Sequence, residues 1–334
     1  MSDIQNFLFE GLPVRGALVK LTDAWQEILA RHRQGDKRDQ EHQGEGAPSA
    51  ENAGTFYLPA VSELLGEMSA AAVLLQSMIK FDGSLELQIR GNGPMRLAVV
   101  EVLPDFALRA TAKVQGDVPA MGGVDVLCNP DGQGRCAITL NSPNKEDGQN
   151  AYQGIVPLCD TQGQPLAHLN QVIEGYMMQS EQLPSCLILA ADDKQAAGLL
   201  VQRIPVEGEN NLGASEREAA DEHFNRIAIL TQSLRRDELL NLNGTDILRR
   251  LFWQEDVRLF DAQHPYFRCS CSKDRVAQML QGLGEDEIKS ILEEQERVEV
   301  GCDFCGALYH FDAVDASRLF IPEQDHPPAS EELQ

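Results

Sequence analysis

The residues best equipped for chemistry are two cysteine pairs, Cys269-Ser-Cys271 and Cys302-Asp-Phe-Cys305, separated by thirty residues. Thiolates are soft ligands, and four of them complete a tetrahedron around a zinc ion. The spacing therefore predicts a zinc site made by Cys269, Cys271, Cys302 and Cys305. His264 and His310 lie near the pairs in sequence, but four sulfurs already fill the coordination shell. The same pairs also suit redox chemistry. A one-residue spacing can close into a short disulfide ring, and CxxC is a common redox spacing. Each pair can become a disulfide without the other, and a metal that keeps all four sulfurs as thiolates keeps them in the oxidisable form. Such a site can detect peroxide or hypochlorite. A purely structural zinc module is the plainer alternative.

The elements around the pairs must hold them together. Residues 298–300 read as a strand entering the CxxC turn and 307–311 as a strand leaving it, with Gly301 and Gly306 at the corners. Short helices fill the gap between the pairs. These belong to a small C-terminal zinc-binding domain expected over residues 245–322, followed by a disordered tail at 323–334 rich in Pro, Glu and Ser.

Upstream, an α+β core domain is expected over residues 1–206. Thr22 can cap a helix carrying Trp25, Ile28 and Leu29 at helical spacing. Residues 34–54 then lack large apolar groups almost entirely, which predicts a flexible loop. A long helix follows from about Leu58, with Val61, Leu64, Leu65, Met68, Ala72, Leu75 and Ile79 on one face. The period then changes to two at Leu85, Leu87 and Ile89, and the turn Gly-Asn-Gly-Pro makes a hairpin with the next strand. Further strands are expected at 107–114, 136–141, 152–157, 185–191 and 198–204, with a helix at 165–180. Strands joined by turns, with a few helices, predict a largely antiparallel sheet with packed helices. Residues 207–244 read as a linker whose segment 215–240 is an amphipathic helix with a thin stripe of Phe224, Ile227, Leu230 and Leu234.

Composition bounds the rest. The chain has 334 residues, 43% of them apolar, and eight cysteines. Cys128, Cys136, Cys159 and Cys186 are scattered and read as core residues or bystanders, although Cys128 and Cys136 flank a turn across which they could approach. With 52 acidic against 28 basic side chains the net charge is −24, which argues against nucleic-acid binding. No apolar run reaches membrane-spanning length, and the acidic N-terminus has no secretory n-region, so a cytoplasmic protein is expected. An oxidoreductase would place its CxxC at the start of a helix, a zinc ribbon for nucleic acid would be basic around its cysteines, and no phosphate loop or nucleophile elbow suggests an enzyme.

Along nearly its whole length the chain resembles the bacterial redox-regulated heat-shock holdase family, the thirty-three-kilodalton heat shock protein. The resemblance rests on KFDGSLELQIRGNGPMRLAVV at 80–100, YMMQSEQLPS at 176–185, AAGLLVQRIP at 196–205, LRRLFWQEDV at 248–257, FRCSCSKDRV at 267–276 and VEVGCDFCGALYHF at 298–311. It implies an ATP-independent chaperone that is inactive while reduced, with one zinc per chain on Cys269, Cys271, Cys302 and Cys305. It further implies that oxidation releases zinc, forms the disulfides Cys269–Cys271 and Cys302–Cys305, unfolds the zinc domain and helical linker, and yields a homodimer that binds unfolding client proteins. The 34–54 segment is longer than the family pattern, and AAGLL stands where a second glycine is more usual. Neither departure touches the cysteines.

Overall fold

A computed structural model describes residues 1–41, 57–79, 81–142, 152–205 and 214–320. The expected tail, the 42–54 part of the expected loop and residues 207–213 of the expected linker lie outside them. The chain divides into two compact units, Met1–Arg268 and Cys269–Gln334. No helix among the described residues is long and apolar enough to cross a membrane.

The first unit opens with β1 (Asp3–Phe9), β2 (Val14–Leu21) and α1 (Asp23–Glu41), then the long α2 (Pro59–Met78). The strands β3 (Ser84–Arg90), β4 (Met95–Val102) and β5 (Ala107–Val114) follow, then α3 (Val124–Cys128), β6 (Arg135–Asn141) and β7 (Tyr152–Pro157). After these come α4 (Leu169–Ser180), β8 (Ser185–Ala191) and β9 (Ala196–Arg203). The unit finishes with α5 (Ala214–Gln232), α6 (Arg236–Asn241), α7 (Gly244–Leu251), β10 (Val257–Leu259) and β11 (Tyr266–Phe267). Its strands form two sheets, one ordered β10-β1-β2-β9-β8 and one ordered β11-β5-β4-β3-β6-β7. Every pairing is antiparallel except β11 on β5.

Helix α2 packs against strands of both sheets and is buried on nearly all sides, as its Ala-, Leu- and Val-rich sequence requires. At Gly66 a Cβ would stand 2.5 Å from that of Ala191, so glycine allows this close approach. In the first sheet, β2 and β9 send alternate residues into two different cores. Ala17, Val19, Leu21, Ala196 and Leu200 join the core around α2. Leu18, Ala197, Leu199 and Val201 join a second core under α5, α6 and α7. There Phe9 and Phe252 meet edge-to-face with ring centres 4.9 Å apart.

Three expectations need amendment. The helix α1 continues through Glu41, well into the expected 34–54 loop, since Lys37, Arg38, Gln40 and Glu41 are good helix formers. The expected helix 215–240 is two helices, broken at Ser233–Arg235 where Leu234 turns inward. Finally, residues 245–268, expected in the C-terminal domain, pack in the first unit. Here β10 pairs with β1 and β11 with β5, and Asp105 accepts from the Tyr266 hydroxyl at 2.8 Å and pairs with Arg268 at 2.9 Å.

The second unit is α8 (Lys273–Leu283), α9 (Glu285–Glu294), the hairpin β12 (Arg297–Gly301) and β13 (Leu308–Asp312), and α10 (Ala313–Leu319). Ser272 caps α8 by accepting from Arg275 N–H, and Asp312 caps α10 by accepting from Val314 and Asp315 N–H. Its core is small: among the described residues Leu280, Ile288, Val298, Phe311 and Ala316 are buried.

Candidate metal centre

The hairpin positions one half of the site. Between β12 and β13 the chain makes a tight knuckle in which Cys302 N–H donates to Ala307 C=O at 2.9 Å and Gly306 N–H to Cys302 C=O at 2.8 Å. Gly306 sits at φ +67°, a conformation that glycine adopts without the usual Cβ penalty. The knuckle turns Cys302 and Cys305 toward the same side. The other half comes from the segment entering α8, where Ser272 fixes the start of the helix just after Cys271.

These elements bring all four predicted cysteines together. Their sulfurs lie within 4.8 Å of one another, and each is partly buried. Two contacts cross between the pairs, Cys269 to Cys302 at 3.6 Å and Cys271 to Cys305 at 3.4 Å. A metal with bonds of about 2.3 Å to four thiolates has sulfur–sulfur edges of about 3.8 Å. The cluster therefore fits one tetrahedral ion, and sulfur tetrahedra suit zinc or iron–sulfur chemistry.

Hydrogen bonds tune the sulfurs unequally. Burial acts to raise the Cys269 thiol, but the Cys271 backbone N–H and the neighbouring Cys271, Cys305 and Cys302 thiols outweigh it and bring it down to about 7. Burial pushes Cys302 up to about 11 despite donors from Phe304 and Cys305 N–H, with the Cys269 charge adding to the rise. Burial also raises Cys305, against a donor from Ala307 N–H. Cys269 is thus held lower than Cys302 and Cys305. Tyr309 adds a donor that the sequence reading missed: its hydroxyl lies 3.1 Å from the Cys271 sulfur. Its place on a strand leaving the CxxC was the available signal.

The remaining candidates stay outside. His310 pairs with Glu299 at 3.2 Å, and His264 faces the Ser2 carbonyl at 3.3 Å. Neither joins the metal-competent group. Burial pushes Cys128, Cys136 and Cys186 up to about 12, so these thiols stay protonated and poorly reactive. Cys128 and Cys136 do not form a disulfide. Cys159 takes a contact from the Asn129 side-chain amide at 3.3 Å and lies beside the Gly132 turn.

Comparison with known proteins agrees with this picture. A family model described as Hsp33 protein matches residues 2–312. A 33 kDa chaperonin of Methylobacillus flagellatus is 39% identical over 322 residues, covering 96% of this chain and 94% of that one. A 33 kDa chaperonin of Chromobacterium violaceum is 40% identical over 317 residues, covering 95% and 93%. The crystal structure of a Thermotoga maritima 33 kDa chaperonin superposes with a TM-score of 0.69 at 20% identity, covering 95% of this chain and 97% of that one, and supports the fold.

Proposed function

The chain belongs to the Hsp33 protein family of chaperones, and from that premise we propose that it is a redox-regulated holdase that needs no ATP. The observation that carries this reading is the convergence of two separable thiol pairs on one tetrahedral site. Zinc, when bound, holds Cys269, Cys271, Cys302 and Cys305 as thiolates and staples α8 to the β12–β13 hairpin.

Oxidation acts on the residues themselves. A thiolate attacks one oxygen of a peroxide; a sulfur–oxygen bond forms, the O–O bond breaks and hydroxide leaves. The other thiolate of the pair then attacks that sulfur, the S–S bond forms and the oxygen departs as a second hydroxide. Each pair gives up two electrons to one peroxide. The pairings are Cys269 with Cys271 and Cys302 with Cys305, each able to close without the other. Four ligands are thereby lost, and the second unit has little apolar core to fall back on. The helices over 214–244 then loosen, since α5 is held to the first sheet by a narrow stripe of Ala220, Phe224 and Ile227. The apolar surface so exposed binds unfolding client polypeptides. We place the protein in the cytoplasm, with the oxidised form a homodimer.

The deciding experiment follows aggregation of a denaturant-unfolded protein in the presence of reduced, zinc-loaded chain and of peroxide-treated chain. Suppression by the oxidised form alone is the expected outcome. Equal suppression by both would replace the switch with a constitutive chaperone carrying a structural zinc.

A further inference from the structure

All four sulfurs receive a hydrogen bond, but the donors differ in kind. Cys269 takes the Cys271 N–H, Cys302 the Phe304 and Cys305 N–H groups, and Cys305 the Ala307 N–H. These donors belong to the backbone of the two cysteine turns themselves. Cys271 instead receives the phenolic hydroxyl of Tyr309, at 3.1 Å. Tyr309 stands on β13 opposite Val300 of β12. The bond therefore ties the CxC pair to the hairpin that carries the CxxC pair.

A hydrogen bond to a thiolate occupies the electron density that would attack an oxidant, so it stabilises the sulfur while slowing its oxidation. We propose that Tyr309 is a positioning residue that sets the oxidant threshold of the thiol cluster by donating a hydrogen bond from its hydroxyl to the Cys271 thiolate. With that bond in place, attack of Cys271 on a peroxide must first give up a charge-assisted contact. Without it, Cys271 becomes a faster nucleophile, and the Cys269–Cys271 disulfide forms sooner by the same bond changes given above. This inference rests on the redox reading of the site and adds to it the residue that controls its speed.

The test is Tyr309→Phe in the full-length, reduced, zinc-loaded protein, which removes the hydroxyl and keeps the ring. Zinc content is measured first. Hydrogen peroxide is then added, zinc release is followed with a chromogenic chelator, and each cysteine is quantified by differential alkylation and mass spectrometry. We expect full initial zinc, with thiol loss at Cys271 about tenfold to a hundredfold faster, the effect of one hydrogen bond to a charged group. Thiol loss at Cys302 should change much less, so the Cys271-to-Cys302 rate ratio rises. Val300→Ala loosens the same hairpin without removing the hydroxyl and should leave that ratio unchanged. Three results overturn the proposal: an unchanged ratio in Tyr309→Phe, an equal rise in Val300→Ala, or loss of zinc from Tyr309→Phe before any oxidant, which would make the residue merely structural. Wild-type thiols that resist peroxide altogether would overturn the redox reading and this proposal with it. An oxidising wild type with an unchanged ratio in the variant would sink this proposal alone.

Discussion

Stripping the metal from the reduced protein with a strong chelator should unfold the second unit and leave the first intact. The magnitude follows from its core. Leu280, Ile288, Val298 and Phe311 are at most 4% exposed. At about 1.5–3 kcal/mol each, their burial contributes roughly 6–12 kcal/mol before the entropy of ordering the chain is set against it. Zinc binding in small domains supplies about 10–16 kcal/mol. The metal therefore matches or exceeds the whole large-side-chain core, and a unit this small has no surplus to replace it. Helices α8 and α9 offer little resistance, since each buries one residue, Leu280 and Ile288 respectively. The measurement is amide hydrogen exchange read by mass spectrometry, on chelator-treated protein kept reduced so that disulfides play no part. Peptides spanning β12, β13, α8 and α9 should exchange like an unfolded chain. Those spanning β2, β9 and α2 should keep their protection. Retention of near-native protection in β12 and β13 after verified metal loss would refute the step from metal to fold.

Other perturbations probe separate links. Cys302→Ser should sharply lower the zinc content of purified reduced protein while Cys159→Ser leaves it unchanged, as read by metal analysis; full retention after loss of Cys302 would contradict the ligand assignment. Ile227→Ala, at a fully buried position of α5, should cost about 2–5 kcal/mol of docking and make 214–241 protease-sensitive in the reduced, zinc-bound form. Unchanged cleavage would show that the stripe does not hold the linker. Burial pushes the Glu67 carboxyl up to about 7, opposed by Arg236 and reinforced by Glu63. The folded form then keeps a proton that the unfolded chain releases near its ordinary 4.5, so this contribution is present at low pH and is lost as pH rises through that window to about 7. Glu67→Gln should remove that loss and stabilise the first unit by roughly 1–3 kcal/mol at pH 8 in denaturant titrations; a variant with an unaltered pH profile would disprove it.

The site was legible in the sequence because metal chemistry demands particular atoms at short spacings. Cys302 and Cys305 bracket a turn, and the strands on either side, β12 and β13, were visible as a run of alternating residues around it. The α2 stripe and the β3–β4 hairpin announced themselves by period and by turn residues. The strands β1 and β2 did not. Residues 16–21 of β2 are buried, so no polar alternation marks them, and such a run reads equally well as a helix segment. The domain boundary was hidden for another reason. The partners of β10 and β11 lie in β1 and β5, too far along the chain for any local pattern to register. Tyr309 could be placed on the strand leaving the CxxC, but only the hairpin's register brings its hydroxyl against Cys271.

The two-sided first sheet explains how such a protein could expose apolar surface without unfolding. Because β2 and β9 feed alternate side chains into separate cores, removing the helices over one core leaves the other closed. Departure of α5, α6 and α7 would uncover Phe7, Phe9, Leu18, Leu199 and Val201, while α2 would still cover Ala17, Val19 and Leu200 from the opposite side. The covering helices are held by contacts that can be released one by one. Lys20 donates to the Leu239 and Leu240 carbonyls at the end of α6, Gln195 shares the Leu240 carbonyl, and Arg236 at its start pairs with Glu63 and donates to Ala191. Burial lowers Lys20 to about 8, because its charged form bears a desolvation cost while α6 is docked. A helix tied by a narrow apolar stripe and a few polar clamps has a low opening free energy, whereas α2, sealed between two sheets, has a high one. The sheet strands belong to both cores, so they stay ordered when only one is opened, and the apolar face uncovered on that side is held in place by the other.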